Sequence, residues 1–172
     1  MLREISRSRV QLSPGAFYSK MDIKKYYEEL KKKAKLPDFE TVDSEFQIGE
    51  IDKGNYGLQI SEKIAEKTDR FRKFLEEYLH ADGSSVAVLM EIKGMNEKDK
   101  ESINLMYKEI VLIERNLALA ELDNRDESYG AFIEESLRKW QEVKPGLKEL
   151  ILKAKESWMD TSKVKEELSY MM

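Results

Sequence analysis

Glu77 and His80 stand three residues apart in a segment whose apolar spacing is helical. On a helix this puts both side chains on one face, one turn apart. A carboxylate and an imidazole presented together can ligate a metal ion, and an oxygen-rich site with one imidazole suits iron or manganese. Such a site also needs inward carboxylates from neighbouring helices. Glu109, Glu114 and Glu121 lie on one candidate neighbour, and Glu134 and Glu135 on the next. The metal-ligand candidates are therefore Glu77, His80, Glu109 and Glu114.

Two features weigh against that set. His80 is the only histidine, and it falls in the last helical turn, just before Ala81, Asp82 and Gly83. A bundle-core site takes its ligands from helix interiors, as in the ferritin-like di-iron carboxylate proteins. Glutamate is also so common here that a partner three residues from any histidine is expected by chance. The plainer reading is a surface histidine near the negative end of a helix dipole. Under that reading no cofactor is expected and no catalytic residue is assigned.

Other chemistries find no foothold. The chain has no cysteine, so thiolate ligands, disulfides and cysteine nucleophiles are excluded. It lacks a Gly-x-x-x-x-Gly-Lys phosphate loop and a Gly-x-Ser-x-Gly elbow. The acidic stretch 37–57 holds Asp38, Glu40, Asp43, Glu45, Glu50 and Asp52, but not in the alternating order of a calcium loop. Tyr26, Tyr27, Tyr56, Tyr78, Tyr107 and Tyr129 read as core and boundary residues with hydroxyls reaching outward. Trp140 and Trp158 sit at apolar spacing and read as core.

The 172 residues suit one domain with an arm: residues 1–18 as the arm, and 19–172 as a single helical domain. Arg3, Arg7 and Arg9 make the arm basic, yet the formal net charge of −4 gives no general case for nucleic-acid binding. Charged residues are 37% of the chain, mostly Lys and Glu, a bias seen in hyperthermophile proteins. No apolar run spans a membrane and no secretory leader is visible, so a cytoplasmic location is expected.

The elements that would position any site are helical. Ile23, Tyr26, Tyr27, Leu30 and Ala34 predict a helix over about 21–35, opened by Ser19 and Asp22 and ended ahead of Pro37. Lys31, Lys32, Lys33 and Lys35 crowd its end, where the dipole favours cations. Phe39, Val42 and Phe46 allow a short helical turn inside the acidic stretch. Ile60, Ile64, Phe71, Leu75 and Tyr78 predict a second helix over 58–80, stopped by Gly83. Val86–Ile92 reads as a short buried helix capped by Ser84 or Ser85.

The longest helix spans 96–124, with Asn96 and Asp99 as a capping box and Asn124 as its left-handed end. It carries two apolar stripes. One is Ile103, Met106, Ile110, Ile113, Leu117 and Ala120; the other is Leu105, Leu112 and Leu119. Two stripes predict neighbours on two sides, which would make this the central helix. The last main helix covers 126–158, broken or kinked at Pro145 and Gly146.

The expected fold is all-α, a bundle of about four main helices with shorter ones inserted. The expected function is a non-enzymatic protein–protein interaction or assembly role, through a protein partner or self-association. The alternative is a ferritin-like iron or manganese carboxylate protein built on Glu77 and His80.

Overall fold

The computed structural model describes residues 22–52, 54–80 and 85–159. In chain order these form α1 (Ile23–Lys33), α2 (Phe39–Phe46), α3 (Tyr56–Leu79), α4 (Val86–Lys93), α5 (Glu97–Asp123) and α6 (Asp126–Met159). A 3₁₀ turn at Ile48–Glu50 follows α2, and no strand occurs among the described residues. The fold is an all-α bundle. The basic arm, Ser19, Gly83 and Ser84 lie outside the described residues.

Three long helices, α3, α5 and α6, pack on one another and carry most of the core. Ile60, Ile64 and Leu75 from α3 meet Ile103, Ile110 and Ile113 from α5, with Ile133, Leu137 and Leu147 from α6. Full burial of a side chain of this size stabilises the fold by about 1.5–3 kcal/mol. Helices α1 and α2 cover one side of this trio, and α4 packs against α3 and α6.

The helix ends follow local chemistry. Asp22 itself caps α1, its carboxylate accepting from the Lys24 N–H at 3.3 Å. Gly54 takes φ +123°, a conformation open to glycine, and turns the chain into Asn55. The Asn55 side chain then accepts from the Leu58 N–H at 3.1 Å, so α3 begins earlier than its apolar stripe predicts. The capping box of α5 is present, with Asn96 and Asp99 exchanging two bonds of 3.1 Å. Asn124 ends α5 at φ 49°, and the tight turn sends α6 back antiparallel. That orientation brings Asp99 to Lys153 and Glu109 to Lys139.

Three expectations need correction. Helix α6 runs unbroken through Pro145 and Gly146. Pro145 and Gln141 are both exposed, so water can serve the Gln141 carbonyl that loses its donor. A Cβ at Gly146 would come within 2.8 Å of the Met106 sulfur, so glycine lets α6 approach α5 closely there. Helix α4 is a helix, as expected, but only Val88 in it is buried. Trp140 is core, whereas Trp158 is partly exposed and donates its indole N–H to Glu91 at 2.7 Å.

The acidic stretch is not a loose loop. Phe39, Val42 and Phe46 are buried on α2, as their spacing implied. Its acids are spent on tying helices together. Asp38 pairs with Lys31 and Glu40 with Lys24, so the lysine-bearing face of α1 meets the stretch directly. Asp43 accepts from the Gly49 N–H at 2.6 Å and closes the 3₁₀ turn. Glu50 faces Lys63 of α3 at 3.4 Å. Residues 38–52 thus form a strap across α1, α3 and α6.

Candidate functional site

The proposed metal ligands do not come together. Glu77 and His80 are both exposed, with His80 serving as the C-cap of α3. Glu109 is bound by Lys139, whose side chain is itself buried in the α5–α6 contact. Glu114 accepts from Arg72 Nε at 2.7 Å. Glu121 and Glu135 are exposed, and Glu134 accepts from the Lys35 N–H at 3.4 Å. Among the described residues no group of three or more His, Asp or Glu side chains is placed to hold a metal ion.

Two polar clusters did form between helices. Arg72 on α3 donates to Asp69 at 2.8 Å, to Glu76 at 2.8 Å and to Glu114 across on α5. The bonds and charges of Asp69 and Glu114, Asp69 foremost, raise the guanidinium above its ordinary pKa. A second cluster centres on Glu45 of the strap. Its carboxylate accepts from the Trp140 indole N–H at 2.5 Å and from Lys144. Lys67 of α3 donates to the Glu45 backbone carbonyl at 2.6 Å and lies over the Phe46 and Trp140 rings at 5.0 and 5.3 Å.

Burial pushes the Glu45 carboxyl up, but the bonds from Lys144 and Trp140 and the charges of Lys144 and Lys67 outweigh it. The net result holds Glu45 below the usual carboxylate range. Burial also lowers the Lys67 ammonium. Every polar group in this cluster is committed to another, so it reads as a joint between α2, α3 and α6.

The tyrosines and the grooves lead to the same conclusion. Tyr27 donates to the Pro37 carbonyl at 2.9 Å, and Tyr107 lies 3.4 Å from Glu76, which is core and boundary packing. A groove of about 530 Å³ lies between α4, the start of α5 and the end of α6, with Met95, Asp99, Lys153 and Trp158 in its wall. Two of its carboxylates are engaged: Glu91 takes Tyr78 and Trp158, and Asp99 takes Lys153 and the Asn96 N–H.

What stands out instead is the outer face of α5. The stripe Ile103, Met106, Ile110, Ile113 and Ala120 is buried, as expected. The stripe Leu105, Leu112 and Leu119 is not: these side chains are 63%, 38% and 63% exposed, and Leu122 beside them is 83% exposed. Helix α5 does have two helical neighbours, α3 and α6, but the expectation that both of its stripes are covered is corrected among the described residues. Helices α3 and α6 pack against the inner stripe of α5, and Leu105 and Leu119 keep most of their surface exposed. Among the described residues, a row of large apolar side chains at seven-residue intervals is a surface feature with unspent binding capacity.

Among the described residues no helix is long and apolar enough to cross a membrane. No protein-family model matches the chain, and no curated protein or solved structure is similar enough to place it in a family.

Proposed function

We propose that this chain is an interaction or assembly protein, whose work is contact with another protein surface rather than chemistry on a small molecule. The observation that carries this reading is the exposed row Leu105, Leu112 and Leu119 on α5, extended by Leu122. Scattered surface leucines need no explanation, but a helical row at one register is the form in which helices recognise helices. The same helix keeps a complete inner stripe, so the outer row is not needed to hold the bundle. The polar clusters support the reading from the other side. Arg72, Glu45, Glu109 and Glu114 are saturated by neighbours within the fold.

Site-specific photo-crosslinking tests this. A photoreactive residue replaces Leu112 in the full chain, expressed in cells of its own source, with the same residue at Lys148 of α6 as control. Both positions are exposed. Discrete crosslinked products from position 112 and not from 148 are expected. Equal or absent crosslinking at the two positions would overturn the reading.

A further inference from the structure

We propose that the cleft between α3 and α6, walled by α1, is a recognition groove for an acidic amphipathic helix, and that α2 is its tethered occupant. The groove uses none of the leucines of α5, so this inference is independent of the reading above. The first observation is how α2 is seated. Its buried side chains Phe39, Val42 and Phe46 stand at i, i+3 and i+7. That is the anchor pattern by which a helix of one protein lies in a groove of another. Among the described residues, no bond between main-chain groups joins residues 38–51 to another helix. The ties to α1, α3 and α6 are made by side chains, as when Lys67 donates to the Glu45 carbonyl. Helix α2 can therefore leave without orphaning the main chain of its neighbours.

The second observation is charge complementarity. Glu45, one residue before the last anchor, meets the Trp140 indole N–H and Lys144 of α6, with Lys67 of α3 at 3.8 Å. Asp38 and Glu40 meet Lys31 and Lys24 on the α1 wall. The floor is aromatic, with the Trp140 ring 5.4 Å from Phe71 and edge-on to Phe46. Lifting α2 would uncover that edge of Trp140 and leave two cations and an N–H without their carboxylate. A tryptophan so placed is the residue type that anchors protein contacts. The pairs of Asp38 and Glu40 are exposed and each adds little, so the grip on α2 rests on its anchors and on Glu45. Tethering holds α2 at an effective concentration on the order of millimolar. The partner that fits is a helix with large apolar residues at i, i+3 and i+7 and a carboxylate just before the last of them.

The probe is a fluorescent synthetic peptide of residues 37–52, titrated by anisotropy into the full chain and into its Phe46→Ala and Glu45→Gln variants. The peptide is expected to bind the Phe46→Ala chain about tenfold or more tightly than the unaltered chain, because the tethered copy has lost an anchor. Glu45→Gln, a gentler change, is expected to raise the affinity about threefold. A peptide carrying Glu45→Lys is expected to bind the Phe46→Ala chain about tenfold more weakly, since Lys67 and Lys144 would face a third cation.

No saturable binding to either variant would overturn the inference. So would equal affinity for all three chains, since the peptide would then be binding somewhere that α2 does not occupy, or indifference to Glu45→Lys in the peptide. Circular dichroism shows whether Phe46→Ala has kept its fold; if it has not, the Glu45→Gln chain decides in the same way. None of these outcomes bears on crosslinking from position 112, so the two readings fail separately.

Discussion

The strap at 38–52 and the outer face of α5 have exchanged the roles their compositions imply. The strap is rich in acid and reads as a solvated loop, yet Phe39, Val42, Phe46, Ile48 and Ile51 are buried. Its carboxylates are bound by Lys24, Lys31, Lys63 and Lys144. The α5 face is rich in leucine and reads as core, yet it lies open. The difference teaches that burial belongs to the arrangement of neighbours. An acidic segment can be pinned when cations on three helices meet it. A leucine row stays bare when both adjacent helices pack on the other side.

Removing an apolar anchor of the strap should have the largest effect. Phe46 packs edge-on against Trp140 at 6.0 Å between ring centres and sits under Lys67. Phe46→Ala is expected to cost about 3–5 kcal/mol in urea unfolding. A loss below about 1 kcal/mol would mean the strap is not part of the cooperative core.

Next comes the inner stripe of α5. Ile110 is fully buried, and its replacement by Ala is expected to cost about 2–5 kcal/mol by the same measurement.

The charged joint of the strap follows. Glu45→Gln is expected to cost about 1–3 kcal/mol at neutral pH, because Lys67 and Lys144 lose their counter-charge. The pH dependence has a definite sign. The folded carboxyl titrates lower than it does in the unfolded chain, so the unfolded chain binds more protons between the two values. The contribution of Glu45 is therefore complete above the usual carboxylate range and is lost as pH falls through the depressed folded value. Glu45→Gln should flatten the acid limb of the stability curve; an unchanged limb would show that Glu45 is not held in this joint.

Changes on the outer row should be smallest. Leu105→Ala and Leu119→Ala are each expected to alter stability by about 0.5 kcal/mol or less in the same urea unfolding. A cost near that of Ile110→Ala would mean that the row is covered by this chain itself.

Much of this architecture is written locally. The capping box at Asn96 and Asp99, the left-handed end at Asn124 and the inner stripe from Ile103 to Ala120 arise from neighbours along one helix. Caps and periodicity are short-range, so they can be read without knowing the fold. The buried triplet Phe39, Val42 and Phe46 was legible for the same reason. Pro145 does not break α6, because a proline's effect depends on what the opposite carbonyl meets, and here that side of α6 faces water.

Other features lie beyond local reading because they join residues far apart in the chain. Arg72 meets Glu114, Glu45 meets Trp140 and Lys144, and Glu109 meets Lys139; no spacing rule relates these partners. Two of those encounters hold Glu109 and Glu114, two of the four candidate metal ligands. The same packing decided which stripe of α5 was covered. Both stripes are apolar and both fit a helix, so the residues alone determined that α5 has two faces able to bury. Only the placement of α3 and α6, set by the summed packing of the whole core, decided which face the fold uses and which it leaves open.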